Sequence, residues 1–485
     1  MSITRNLARH AAARPGAPAL TCEGESLTYA VLDALVARCA ARLAAAPAGG
    51  IALDLPNGAV LGVLLLAAAR GGREGQVLDP AWPAPLRAAV LERLAPGLLV
   101  SGDPAAAIRL PPDLPLSRLA AAMGAPEAAA PPEPAADRPF YVGFTSGSTG
   151  LPKGYRRTHG SWTASFDADA REFGIGPGDV VLAPGVLTHS LFLYALARGL
   201  DAGAHVVLCR RFRPRAVAEL ARRHGASVLY GVPTQLALLL DALEGEPLEG
   251  MRLVLSSGAK WPVGQRARLD RLMPGARFAE FYGASELSYV TVARADEDVP
   301  EASVGRAFAG VTLTIRDRAG RRLPPGRTGL VCVESPFVFS GYATGESADL
   351  VRHGAALSVG DMGFLDAAGF LHLVGRAKRM IVTSGKNLYP EEVERLLERH
   401  PAVRAAAVLG LADGLRGERL HALLAVEAGA AVTRAELMAF LKPLLPAFKV
   451  PRRYARVAAW PLTASGKTDF AALARLGPSG GEDLA

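Results

Sequence analysis

Short apolar runs that end in glycine-bearing loops recur through the middle of this chain. Val180-Val181-Leu182-Ala183-Pro184 is one and Ala204-His205-Val206-Val207-Leu208 the next. Ser227 to Tyr230 ends at Gly231-Val232-Pro233-Thr234, and Met251 to Leu255 ends at Ser256-Ser257-Gly258-Ala259-Lys260. Ser161 to Phe173, before the first run, and Arg215 to Arg223, between the second and third, read as helices. Strands alternating with helices predict an α/β fold with parallel sheet, because parallel neighbours need a long crossover. The strands then present their loops along one sheet edge, where ligands bind in α/β proteins. The first 130 residues continue the pattern. Leu32, Leu35, Val36, Cys39 and Leu43 recur at helical spacing, Ile51 to Leu55 is a strand ending at Pro56-Asn57-Gly58, and Leu98 to Val100 is another.

The stretch Phe144-Thr145-Ser146-Gly147-Ser148-Thr149-Gly150-Leu151-Pro152-Lys153-Gly154 carries the most chemistry. It follows the apolar strand Phe140 to Phe144. Glycines let backbone N–H groups approach phosphate oxygens, hydroxyls add donors and Lys153 adds positive charge. A Gly/Ser linker is the bland alternative, but linkers rarely follow an apolar strand. It is not a Walker A loop, which needs Gly-Lys followed directly by Ser or Thr.

Further on, Glu280-Phe281-Tyr282-Gly283-Ala284-Ser285-Glu286 joins aromatics, a glycine turn, a hydroxyl and carboxylates. Tyr282 can stack on a purine, Ser285 can donate to a phosphate, and Glu286 can ligate Mg²⁺ through oxygen. Alone, such a heptapeptide is a weak signal; its value comes from following the phosphate-type loop.

The ordered set resembles the adenylate-forming, AMP-binding enzymes, nearest to small bacterial acyl-CoA synthetases and fatty acid–CoA ligases. The resemblance runs from residue 144 to Pro461-Leu462-Thr463-Ala464-Ser465-Gly466-Lys467, most of the chain. It implies a large N-terminal domain, residues 1–375, of parallel-rich sheets and helices, with a β-rich part (a small barrel) at about 302–374. A small mobile α+β C-terminal domain, residues 376–485, would follow.

The resemblance also assigns roles. Thr145, Ser146, Gly147, Ser148, Thr149, Gly150 and Lys153 would hold the outer phosphates of ATP. Gly258, Ala259, Glu280, Phe281, Tyr282, Gly283 and Ser285 would line the nucleotide site, and Glu286 would hold Mg²⁺. Asp361 in Val359-Gly360-Asp361-Met362-Gly363 is by itself a turn residue; the family gives it the ribose hydroxyls, a natural task for a bidentate acceptor, together with Arg376. His189, Leu191, Gly231, Lys260 and Ala284 would border the acyl group. Taken alone, His189 is more often a structural histidine, and the resemblance makes the pocket role as strong; Lys260 is either a solvated lysine or a partner for a polar group on the acid. Lys378 would be the hinge, and the loop Ser384-Gly385-Lys386 would enter the site for thioester formation. Asn387 stands where many relatives have arginine, which removes an arginine contact to phosphate. Lys467, on its own a solvated loop lysine, would be the catalytic lysine of adenylation.

The implied function is ATP-dependent activation of a carboxylic acid, then thioester formation with CoA; the alternative acceptor is the phosphopantetheine of an acyl or peptidyl carrier protein. Leu187-Thr188-His189-Ser190-Leu191 offers no acidic residue for an α-amine, which disfavours an amino acid. Leu, Phe and Ala between 187 and 197 suggest an apolar acyl or aryl group. The 485 residues carry a formal charge of +8, spread along the chain without a basic block, so no nucleic-acid partner is expected. Cys22, Cys39, Cys209 and Cys332 are far apart and fit a cytoplasmic protein. Ala59 to Ala69 is too short to span a bilayer and reads as a buried helix, so no stable membrane insertion is expected.

Overall fold

The structure is a computed structural model. It describes residues 1–485 except 127–130, 146–150, 262–263, 295–296, 346, 348, 384–385, 414–416, 428, 463–467, 478–480 and 485. The chain forms two compact units, residues 1–313 with 333–357, and residues 314–332 with 358–485.

The first unit contains two sheets, each with a run of parallel strands and antiparallel strands at one or both edges. In the nine-stranded sheet Arg277–Ala284, Leu253–Ser256, Val228–Gly231, Val180–Ala183, His205–Leu208 and Pro18–Cys22 run parallel in that spatial order. Glu25–Thr28 closes one edge; Ser288–Arg294 and Arg306–Ala307 close the other, all antiparallel to their neighbours. The seven-stranded sheet places Pro139–Thr145 beside Gly75–Val77, Ile51–Asp54, Leu98–Ser101 and Ile108–Arg109, all parallel. The antiparallel strands Lys153–Thr158 and Gly341–Tyr342 complete it.

The helix Ala59–Arg70 is apolar nearly all round, and eleven of its twelve residues are buried. A helix with no polar face must be covered on every side, and this one packs against strands of both sheets and against helices Tyr29–Ala44 and Ser190–Ala202. Among the described residues no helix is long and apolar enough to cross a membrane.

In the second unit Gly329 and Leu330 pair with Gly363 and Met362, and Asp361–Leu365 forms an antiparallel hairpin with Leu371–Arg376. The long strands Val403–Asp413 and Gly417–Val426 pair antiparallel, with Arg453–Arg456 parallel to the latter. Ile381, Leu388, Val393, Leu397, Leu424 and Leu437 belong to the core beneath them. The boundary expected near residue 375 falls inside this unit, so part of the β-rich stretch 302–374 groups with the C-terminal residues. The cause is local packing. Arg395 Nη2 donates to the Leu373 carbonyl at 3.0 Å, and a Cβ on Gly375 would lie 2.3 Å from Glu391 Oε2. The glycine thereby lets the hairpin lie flush on helix Pro390–Leu397.

Candidate active site

Strands Pro139–Thr145 and Lys153–Thr158 form a hairpin in which Thr145 lies opposite Lys153 and Phe144 opposite Gly154. The connecting Ser146, Gly147, Ser148, Thr149 and Gly150 lie outside the described residues. The strand leaving the loop turns straight back along the entering one, so Lys153 sits at the hairpin mouth. Its ammonium donates to Asp349 Oδ2 at 2.8 Å and Ser347 Oγ at 2.6 Å, and the Gly154 N–H donates to Thr344 Oγ1 at 2.8 Å.

Four residues beyond Lys153, Arg157 is fully buried. Its guanidinium donates to the carbonyls of Ser285 at 3.2 Å, Glu286 at 3.3 Å and Phe337, and to Ser288 Oγ. Burial pulls its pKa down to about 10. A buried charge persists only where hydrogen bonds replace water, and here they clamp the turn that presents Ser285 and Glu286. Nothing local marks this role: Arg157 is simply the second of two adjacent arginines.

The heptapeptide lies mostly on strand Arg277–Ala284, which pairs antiparallel with Ser288–Arg294. A Cβ on Gly283 would fall 2.1 Å from the Ser288 carbonyl oxygen, so only glycine allows so close a crossing. Side chains alternate along the strand. Phe281 meets Tyr289 edge-on at 4.7 Å, and Tyr289 donates to Asp169 Oδ2 at 2.8 Å. Asp169 pairs with Arg198 at 2.7 Å, both buried. Desolvation raises the Asp169 pKa despite that pairing. Phe281 thus packs on a buried aromatic ring, and both it and Tyr282 are half-buried.

Glu286 is buried and its Oε1 accepts from the Tyr342 hydroxyl at 2.9 Å. Burial first, and the Glu286 charge next, raise the Tyr342 pKa, so this phenol stays a donor. Ser285 Oγ lies 3.2 Å from Ser190 Oγ, at the start of helix Ser190–Ala202, with His189 as the N-cap residue. Tyr342, Asp349 and Thr344 escaped the sequence reading because nothing local distinguishes them; only the fold brings them beside Glu286 and Lys153.

The strands Val228–Gly231 and Leu253–Ser256 end level with each other, Gly231 opposite Ser256. Gly258, Ala259 and Lys260 follow and are exposed. The Lys260 ammonium pairs with Glu280 Oε2 at 2.8 Å and donates to the Ser303 carbonyl at 2.7 Å, while Glu280 Oε1 accepts from the Trp261 N–H at 2.7 Å. Glu280 therefore ties down the loop carrying Gly258 and Ala259. Of the apolar side chains between 187 and 197, Leu187, Phe192, Leu193 and Leu196 are spent on the core, and Leu196 packs at Gly62. Leu191 and His189 remain half-buried at the helix start, and Ala284 is likewise half-buried.

In the second unit, Asp361 and Arg376 stand opposite each other in their hairpin, with a carboxylate oxygen 3.0 Å from Arg376 Nε. Lys378 lies in the 3₁₀ turn Ala377–Arg379. Arg379 is wedged between Glu391 at 3.0 Å, Glu394 at 2.5 Å and the Phe470 ring, 3.7 Å from its centroid. Lys386 Nζ sits 4.8 Å over the Phe448 ring. Ser384, Gly385 and Lys467 lie outside the described residues, as does the Asn387 side chain. Leu462 and Thr468, which flank the Lys467 segment, pair as an antiparallel bridge.

Residues 7–343 match the family model for the AMP-binding enzyme, and residues 392–467 match that for the AMP-binding enzyme C-terminal domain. The chain belongs to the AMP-binding enzyme family. A Bacillus subtilis (strain 168) protein named uncharacterized acyl-CoA ligase YhfT is 36% identical over 482 residues, 96% of each chain. The fatty acid–[acyl-carrier-protein] ligase ScoC of Streptomyces coeruleorubidus is 30% identical over 499 residues, 96% of this chain and 94% of its own. The solved O-succinylbenzoate coenzyme A synthetase MenE of Bacillus subtilis, in complex with ATP and magnesium ion, superposes with a TM-score of 0.84. Its sequence is 28% identical, over 95% of this chain and 97% of that one.

This AMP-binding enzyme is an AMP-forming acid–thiol ligase: it activates a carboxylic acid with ATP as an acyl-adenylate, then transfers the acyl group into a thioester. Mg²⁺ suits its donor set. Among the described residues no three His, Cys, Asp or Glu side chains gather as a metal site. Glu286 offers one buried carboxylate, linked to Lys153 through Tyr342 and Ser347. Mg²⁺ is commonly held that way, by one or two carboxylates plus substrate phosphates.

Proposed function

We propose that this enzyme joins a carboxylic acid lacking an α-amine to CoA, with the side chains above in defined roles. The observation that carries this reading is the placement of Lys153 and Glu286 in one hydrogen-bonded neighbourhood, reached through Tyr342 and Ser347. A cation and a buried carboxylate joined through hydrogen bonds are what a magnesium–triphosphate needs. Thr145 through Lys153 would hold the β- and γ-phosphates. Glu286 would hold Mg²⁺, which when bound offsets phosphate charge. Tyr282 would stack on the adenine beside Gly258 and Ala259, and Asp361 with Arg376 would hold the ribose.

The acid's carboxylate then attacks the α-phosphorus in line, and pyrophosphate leaves. Catalysis here is positioning and charge stabilisation rather than covalent help. Lys467 meets negative charge on both the carboxylate and the phosphate oxygens, a task suited to a flexible ammonium. The C-terminal domain then turns about Lys378, withdrawing Lys467 and bringing in Ser384, Gly385 and Lys386. A thiol attacks the acyl carbonyl, the thioester forms and AMP departs. The absence of an acidic residue over 187–191 and the half-buried Leu191 support an apolar acyl or aryl acid. Four separated cysteines support a cytoplasmic setting.

The similarity to ScoC, named for an acyl-carrier-protein substrate, favours a second reading in which the thiol is a carrier protein's phosphopantetheine. Pyrophosphate release from Mg·ATP across fatty, aryl, hydroxy and amino acids, with and without CoA, separates the two. Release with one acid class, raised by CoA and accompanied by AMP and acyl-CoA, is the expected result. Release that CoA leaves unchanged, with no acyl-CoA, supports the carrier reading. Lys467→Ala should abolish adenylation yet still convert supplied acyl-adenylate to thioester; equal loss of both steps would refute its assignment.

A further inference from the structure

Lys153 already has an anionic partner. Its ammonium lies 2.8 Å from Asp349 Oδ2 and 2.6 Å from Ser347 Oγ, and the paired side chains are only 18% and 25% exposed. Asp349 lies 196 positions away in sequence, so the fold builds this contact. The same segment supplies Tyr342 to Glu286 and Thr344 to the Gly154 N–H. One short stretch, residues 342–349, therefore engages the phosphate lysine, the backbone beside it and the metal carboxylate.

An ammonium has three donors, and Asp349 and Ser347 occupy two of them. A phosphate arriving at Lys153 meets the Asp349 carboxylate as a like charge and as a rival for the same donors. Glu286 differs, because a cation can bridge it to phosphate. Asp349 is already neutralised by the lysine that the phosphate wants. We propose that Asp349 is an internal competitor for the nucleotide's outer phosphates: it holds Lys153 in the nucleotide-free enzyme and is exchanged for them on binding. Asp349 thereby sets ATP affinity by acting through Lys153. It has no such effect on AMP, which lacks the outer phosphates. This inference rests on the phosphate role of Lys153 stated above.

Calorimetric titration with ATP in magnesium buffer, and with AMP as control, tests it on the full chain. Asp349→Asn and Asp349→Ala should each tighten ATP by about threefold to fivefold, the range of a partly exposed ion pair. AMP affinity should stay the same. The gain should shrink as salt is raised and vanish in a Lys153→Ala background, which alone should weaken ATP about tenfold. Weaker or unchanged ATP binding in both Asp349 variants, with Lys153→Ala still impaired, overturns the exchange but leaves the phosphate role of Lys153 standing. It would instead make Asp349 a ligand or a support. Equal tightening of AMP also overturns it. If Lys153→Ala binds ATP normally, the phosphate role fails and the inference falls with it.

Discussion

Arg157 and Arg376 both lie on hairpin strands and both steady a carboxylate-bearing segment, but by opposite means. Arg157 is fully buried and spends its guanidinium on three carbonyls and a hydroxyl around Glu286. Arg376 keeps 52% of its side chain exposed and meets Asp361 as an ion pair. Neutral acceptors in a dry interior fix one geometry, because every lost bond leaves an unsatisfied buried group. A half-exposed ion pair can open into water at little cost. The first arrangement fixes the turn carrying the carboxylate proposed for the metal; the second lets the proposed ribose residues exchange their ion pair for a ligand.

The largest effect should come from breaking the buried clamp. Arg157→Met orphans up to four buried acceptors, at about 1–3 kcal/mol each before relaxation, so a net loss of about 3 kcal/mol or more is expected. Urea unfolding would read this as a lower midpoint, and pyrophosphate release should fall steeply as the turn at Glu286 loosens. A variant as stable as the wild type would show that the clamp is dispensable.

The next effect is pH-dependent and lies two residues further along the same strand-to-helix passage. His159 is fully buried, stacks on Phe140 and accepts the Ile3 N–H at Nδ1, 3.2 Å away. Burial, the largest cause, lowers its pKa to about 4. A histidine lowered on folding contributes stability that is present in full above its unfolded value, about 6.5, and is lost as pH falls toward 4. Protonation also sets an N–H against the Ile3 N–H. Between pH 6.5 and 4.5 the loss should be about 2 kcal/mol for this one group. His205, also lowered to about 4 by burial, titrates over the same window. His159→Gln should therefore flatten the acid limb of a stability–pH curve by its own share only; an unchanged limb would mean that folding does not shift the titration of His159.

The same contrast explains what the sequence could reveal. Parallel strands announced themselves because both faces are apolar: Val180–Ala183, Val228–Gly231 and Leu253–Ser256 are buried almost throughout. The motifs bearing Lys153 and Glu286 were visible because glycines and hydroxyls cluster there. Strand Lys153–Thr158 was not visible, since Lys-Gly-Tyr-Arg-Arg-Thr has no apolar alternation; its pairing with Pro139–Thr145 and its buried Arg157 are tertiary facts. Likewise, helical spacing in residues 187–197 cannot say which apolar side chains face a substrate and which fill the core. Most fill the core. Asp349 and Tyr342 needed the fold, because a contact 196 or 56 positions away leaves no local trace.

The smallest expected effect on stability belongs to the half-exposed pair, and there the comparison becomes sharpest. Asp361→Asn removes the charge of a buried carboxylate whose arginine partner faces solvent. Pairs of this kind contribute about 0–1 kcal/mol, so the urea midpoint should hardly move. The carboxamide keeps one acceptor oxygen but loses the bidentate acceptor that two ribose hydroxyls require. KM for ATP should then rise about tenfold while the fold is intact, the reverse of Arg157→Met, in which stability and activity fall together. If Asp361→Asn instead lowered stability by as much as Arg157→Met and left KM unchanged, Asp361 would be a structural turn residue. The half-exposed ion pair would then lose its meaning as a device for ligand exchange.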